Sequence, residues 1–141
     1  MATLTVTITE AVTLSGSDRG TTNTLSTAIT EVDHRILDLT TSYINYVEFA
    51  AARGAGQYAD GTLSYIRITN LDGSATVNLR VRGADYTSWF KLDPGGSFIL
   101  TDQTSDAVGD ITSSPSLANL DSLAMLSSFN GTQAEIFIGI A

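Results

Sequence analysis

The chain has 141 residues, 43% hydrophobic and 16% charged, enough for one ordinary core and too apolar for a disordered chain. A formal net charge of −8 argues against a nucleic-acid backbone or an anionic membrane surface as partner, since both are held by clustered cations. With no Cys and a single His, disulfides, thiolate metal sites and His-built zinc centres are excluded. Thr occurs 20 times and Ser 15 times, and β-branched Thr suits a pleated, half-wet surface, so the composition favours sheet over helix. The charge is uneven. Beyond Lys91 there is no Lys or Arg, only Asp93, Asp102, Asp106, Asp110, Asp121 and Glu135, whereas most basic residues lie between Arg53 and Lys91. Such a chain can pair with copies of itself or with a partner of mixed charge.

The opening MATLTVTITE has neither a basic n-region nor an apolar h-region, so no secretory signal is expected, and no stretch approaches the roughly 18 apolar residues of a membrane span. In residues 3–9, Leu4, Val6 and Ile8 alternate with Thr3, Thr5, Thr7 and Thr9, which predicts a strand with one buried face. Residues 1–14 therefore read as an N-terminal strand, paired in its own subunit or exchanged as an arm with a neighbour. SGSDRGTTNT (15–24) reads as a flexible connector. Residues 27–39 and 43–50 read as strands, and 52–61 as loop.

The clearest hairpin signal follows. Ser64, Ile66 and Ile68 alternate with Tyr65 and Arg67, and Val77, Leu79 and Val81 alternate with Asn78, Arg80 and Arg82; NLDGSA between them supplies turn residues. A second hairpin is read at 86–101. There Phe90 and Leu92 point inward, Trp89 and Lys91 outward, DPGG makes the turn, and Phe98 and Leu100 lie on the return strand. Residues 102–116 read as an acidic loop. Leu117, Leu120 and Leu123 have helical spacing, a strand through Leu123, Met125 and Ser127 competes, and the expectation is a turn and then a strand. The last strand alternates Ala134, Ile136, Ile138 and Ile140 with Glu135 and Phe137, and it is expected to pin the C-terminus in a sheet. Eight or nine short strands without a long helix predict an all-β fold, an antiparallel β-sandwich that is jelly-roll-like, with 25–141 as its single domain.

Catalytic chemistry finds little to stand on. His34, in EVDHRILD, has no nucleophile-elbow context and reads as a strand histidine. Asp102, Asp106 and Asp110 lack the alternate-position oxygens of a calcium loop and read as solvated. RGAGQYADG and LDPGGSF match no phosphate-binding fingerprint. The expectation is a non-enzyme without cofactor, metal or small-molecule substrate. What remains is surface. If the 63–82 hairpin buries its aliphatic side, Tyr65, Arg67, Asn78, Arg80 and Arg82 share the other, and Tyr and Arg are enriched at interface hot spots. Trp89, Lys91 and Phe137, placed outward by the same alternation, extend the candidate interface, and Leu4, Val6 and Ile8 of the first strand complete it.

The segment YIRITNLDGSATVNLRVRGADYTSWFKLDPGGSFIL (65–100) resembles a pattern found in small decoration, or cement, proteins of tailed bacteriophages, and AEIFIGIA (134–141) resembles their closing strand. The shared motifs are structural, and none carries over specific capsid-contact residues. The resemblance implies a jelly-roll-like subunit that forms a homotrimer, lies on the outer surface of the virion and binds the major capsid protein where capsomers meet. The net charge, and not the resemblance, gives the expectation of no nucleic-acid or membrane partner. The alternative is a β-sandwich module of a phage tail or head fibre that binds glycan or a host surface, with Trp89, Tyr86 and Tyr65 stacking on sugar rings.

Overall fold

The computed structural model describes residues 1–83, 86–101, 106–110 and 116–141, with 106–110 and 116–118 given by backbone alone. Period-two alternation runs through nearly every segment, and the alternating segments become strands. The first six are β1 (Ala2–Glu10), β2 (Thr13–Leu14), β3 (Ser17–Asp18), β4 (Thr21–Ile29), β5 (Glu31–Leu39) and β6 (Ile44–Ala50). Then come β7 (Tyr58–Ala59), β8 (Leu63–Asn70), β9 (Val77–Gly83), β10 (Tyr86–Leu92), β11 (Ser97–Leu100), β12 (Asp106–Asp110), β13 (Ser116–Asn119), β14 (Ser122–Ser127) and β15 (Thr132–Ile140).

Two sheets pack face to face. One is four-stranded, in the order β11-β8-β15-β5; the other is five-stranded, in the order β10-β9-β14-β6-β7. All neighbours are antiparallel except β7, which lies parallel to β6. From β5 onward the main strands switch sheet at each connection except β9–β10, which is the winding of a jelly roll. Ile66, Ile68, Ile136 and Ile138 from one sheet meet Val77, Leu79, Leu123 and Met125 from the other, all fully buried. Each such side chain contributes about 1.5–3 kcal/mol by leaving water.

That winding corrects both hairpin readings. The inward and outward alternation at 63–82 is as expected, but β8 and β9 belong to opposite sheets, so residues 71–76 cross the sandwich instead of turning back. β10 and β11 are split in the same way, and the true hairpin partner of β10 is β9. Asn70 explains why the crossings form. It is fully buried, and its Nδ2 donates to the carbonyls of Ala75, Leu92 and Asp93 at 2.8, 3.3 and 3.2 Å. Its backbone pairs with Gly95 and Gly96. One side chain thus clips the 71–76 crossing to the DPGG crossing. Phe90, expected inward, is 43% exposed. It lies on the outermost strand, where the core thins, and rests on Phe98 at 4.9 Å.

The connector at 15–24 is also corrected. Ser15 and Gly16 both take positive φ (51° and 79°), the requirement of a two-residue hairpin turn, and they close β2 on β3. Asp18 then accepts from the Gly20 amide at 2.8 Å. Beyond this kink β4 pairs with β1 through nine residues, Ala2 opposite Ile29 to Glu10 opposite Thr21. The first strand pairs within its own chain. The 27–39 segment divides at Thr30, whose amide donates to Ile140 O. Residues 106–110 and 116–119, read as an acidic loop and the start of a turn, are paired strands, and Ser122–Ser127 is the expected strand. The side chains of Asp102, Asp106 and Asp110 lie outside the described residues.

The β5–β7 edge is closed by charge. Arg53 forks onto Glu31 with two 2.9 Å bonds, Arg35 Nε lies 3.2 Å from Asp33, and the Tyr58 hydroxyl donates to Asp33. Burial first, and then Asp33, push the Tyr58 phenol up to about 12. Charged groups on the inward side of an edge strand also discourage pairing with a foreign strand.

Candidate functional site

The outer face of the four-stranded sheet is set by register. Ile99, Arg67, Phe137 and His34 form one row across β11, β8, β15 and β5; Tyr65, Gly139 and Val32 form another; Ser97, Thr69, Glu135 and Ile36 a third. Over the Tyr65 end hangs the β1–β4 hairpin. Its Leu4, Val6 and Ile8 face the sheet, and an open groove of about 380 Å³ lies between them and Tyr65, Arg67, Ile99 and Phe137. The candidates Leu4, Val6, Ile8, Tyr65, Arg67 and Phe137, distant in sequence, thus come together.

Gly139 seats the base of the hairpin. A Cβ there would stand 2.9 Å from Leu4 Cδ2 and 3.5 Å from Ile29 Cγ2, so glycine lets the end of Leu4 rest against the sheet without shifting. On the hairpin's far side the hydroxyls of Thr7 and Thr24, and of Thr9 and Thr22, meet at 3.4 Å. Among the described residues β1 pairs only with β4, leaving its other edge without a strand, and the hairpin tip carries Leu14, 63% exposed, beside exposed Val12.

The groove floor combines the rings of Tyr65 and Phe137 with Arg67, and beside it Arg67, Glu135 and His34 form a polar triad. Phe137 sits edge-on to Tyr65 at 5.9 Å and tilted to His34 at 5.8 Å. Glu135 takes His34 Nε2 at 2.7 Å on one oxygen and Arg67 Nη2 at 2.9 Å on the other. The His34 hydrogen bond first, and Arg67 after it, hold the Glu135 carboxyl below its ordinary range. Tyr65 is buried beneath the hairpin; burial raises its phenol, and the Arg67 charge opposes that rise. Beside the groove, Val32 and Ile36 on edge strand β5 are 50% and 57% exposed, making a second apolar strip on the same face.

Arg80, Arg82, Trp89 and Lys91 do not join this site. They project from β9 and β10, on the far side of the sandwich, because β8 and β9 belong to different sheets. The expected face shared by Tyr65, Arg67, Arg80 and Arg82 is therefore two faces. Arg80 lies over the rings of Tyr43 and Trp89 at 5.6 and 5.9 Å, and these rings meet edge-to-face at 5.0 Å. Lys91 pairs with Asp93 at 2.7 Å in full solvent, an interaction of little consequence.

Sequence reasoning missed Val32, His34, Ile36, Ile99 and Glu135 as members of the groove face, and Tyr43 and Asn45 on the other. In EVDHRILDL both alternating sets mix charges with aliphatics, so periodicity gave no inward side. Ile99 is visible only through its pairing with Arg67. Among the described residues no cluster of three or more His, Cys, Asp or Glu side chains is placed to hold a metal. No protein-family model, curated protein or solved structure matches the chain.

Proposed function

We propose that this protein is a structural, non-enzymatic virion component that decorates and stabilises a phage capsid, docking on its outer surface where capsomers meet. The observation that carries the reading is the groove face. Apolar side chains from β1, β5, β8, β11 and β15 converge on one side of the sandwich, with an open strand edge and an apolar fingertip beside them. An exposed apolar area of this kind, rimmed by Thr and the Arg67–Glu135 ion pair, is what a protein-docking surface needs. The open β1 edge can take a strand from a neighbour by β-augmentation.

The partner comes from the resemblance of residues 65–100 to decoration proteins, and the net charge of −8 suits an outer surface better than a site on packaged DNA. The subunits act as a homotrimer. Several modest contacts engaged together then give avidity that none has alone.

The test is light scattering of the purified protein, followed by mixing with undecorated capsids. A stable trimer that binds shells saturably is expected. A monomer that ignores shells overturns the proposal.

A further inference from the structure

The opposite face of the sandwich is built differently, and capsid docking gives it no task. On β14 the outward positions Ser122 and Ala124 are small and buried. Ser122 stands between Arg82 and Glu48, and Ala124 between Arg80 and Asn45, in the registers of β9 and β6. Low residues on the middle strand and tall ones on both flanks make a trough.

A continuous row of planar polar groups crosses and lines it. Arg80 Nη2 donates to Asn45 Oδ1 at 3.0 Å, Asn45 Nδ2 to Glu48 Oε1 at 3.0 Å, and Gln57 Nε2 to Glu48 Oε2 at 3.3 Å. The two amides hold the Glu48 carboxyl below its ordinary range, so it stays an acceptor. The open volume is about 260 Å³, with Arg82 and Asp121 on its wall. At the Arg80 end stands Trp89, 55% exposed and fixed by Tyr43 and Arg80.

These features select a ligand class. An aromatic ring held in place with its surface in water offers a platform for the C–H face of a pyranose, and a row of amide, carboxylate and guanidinium groups matches vicinal hydroxyls that both donate and accept. The polar row and the wall of the open volume together carry two cations, Arg80 and Arg82, against two anions, Glu48 and Asp121, with Arg80 outside the volume beside Trp89. A phosphate or sulfate would meet both carboxylates, whereas a neutral polyhydroxylated ligand meets no net charge. We infer that this face binds a neutral saccharide, one ring stacked on Trp89 and its hydroxyls on the Arg80–Asn45–Glu48–Gln57 row.

Trp89 is the sole tryptophan, so intrinsic fluorescence reads this site alone. The full chain is titrated with neutral hexaoses of glucose, mannose, galactose and N-acetylglucosamine, with sialyllactose and a heparin hexaose as charged probes, and calorimetry follows in parallel. At least one neutral hexaose should shift the emission saturably. Trp89→Ala and Asn45→Ala should each weaken its calorimetric binding tenfold or more, Trp89→Phe should restore part of it, and thermal melting of each variant reports its fold. Ile36→Asp, on the groove face, should leave it unchanged. No saturable shift with any neutral probe overturns the inference, as does preference for the charged probes or undiminished binding by Trp89→Ala. An emission shift that tracks protein concentration overturns it too, since Trp89 would then lie in a subunit interface.

Discussion

The two outer faces of this sandwich share one core and almost nothing else. The groove face is apolar, overhung by a hairpin and bordered by exposed Val32 and Ile36. The trough face is a hydrogen-bonded polar row ending in a fixed aromatic pair. Both are built from alternate residues of strands whose other side is buried. A strand's alternation thus fixes what points away from the core, while the sheet to which the strand belongs decides which outward residues share a surface. Arg67 and Arg80 look like neighbours along the chain and lie on opposite sides of the molecule because the 71–76 crossing separates them.

The largest way to break the comparison is to remove the clip that enforces it. Asn70→Ala leaves the carbonyls of Ala75, Leu92 and Asp93 without their shared donor inside the protein. Each uncompensated buried group costs about 1–3 kcal/mol, so a total loss of about 3 kcal/mol is expected after partial relaxation. Urea unfolding measures it. Both faces should weaken together, since neither survives a slip in the crossings.

The next effect separates the faces. Val32→Asp combined with Ile36→Asp places charge on exposed positions, so the melting temperature should stay within a few degrees while capsid binding falls about tenfold or more, roughly 1.4 kcal/mol. Arg80→Glu combined with Arg82→Glu should leave capsid binding unchanged, because those side chains project from the other sheet. Saturation binding to shells decides it, and the reverse pattern would move the docking surface to the trough.

A smaller change sharpens the role of the hairpin. Gly139→Ala brings a methyl to 2.9 Å from Leu4 Cδ2, a contact that the flexible end of Leu4 must vacate. The hairpin should loosen by about 1 kcal/mol while the sandwich keeps its stability. Amide exchange should therefore accelerate in residues 2–10 and 21–29 and hold steady in β8 and β15. Uniform protection in the variant would show that the hairpin is held elsewhere.

Much of this was legible in the sequence, and the failures have a common cause. The clean alternations at 64–68, 77–81 and 134–140 gave the fold class and the buried side of each strand, because burial on one side forces the period. At 3–9, by contrast, the aliphatic side expected to be buried is only half-buried at Leu4 and Val6 and exposed at Ile8. None of these alternations gave pairing. NLDGSA and DPGG carry the residue types of hairpin turns, yet Asn70 uses its amide to tie the two segments together, a long-range bond that local turn chemistry cannot reveal. The connector at 15–24 failed for the opposite reason. Its Ser, Gly and Thr suggest flexibility, but Ser15–Gly16 is a tight turn and the Thr residues pair across the hairpin. The candidate site inherited both errors. Its members fall on two opposite faces and not on one, and His34, read as a strand histidine, lies on the outward side of β5 and hydrogen-bonds Glu135 beside the groove.

The smallest expected effect concerns the Glu135 carboxylate and its two partners. Glu135 is held below its ordinary carboxylate value of 4.5 by the His34 hydrogen bond first and by Arg67 after it. A carboxylate whose folded value is depressed contributes stability that is fully present above the unfolded value and disappears as pH falls through the folded one. The triad should therefore support the groove floor at neutral pH and lose its contribution on acidification below about 4.5, as Glu135 takes up a proton. Because the pair is partly solvent-exposed, the contribution is about 0.5 kcal/mol and salt weakens it. Glu135→Gln keeps the shape and removes the titration. The melting temperatures of the two proteins should differ at pH 7 and converge toward pH 3, the difference shrinking further in high salt. A constant gap across that range would mean that Glu135 acts through packing alone, and the apolar part of the groove face would then have to carry its function without electrostatic help.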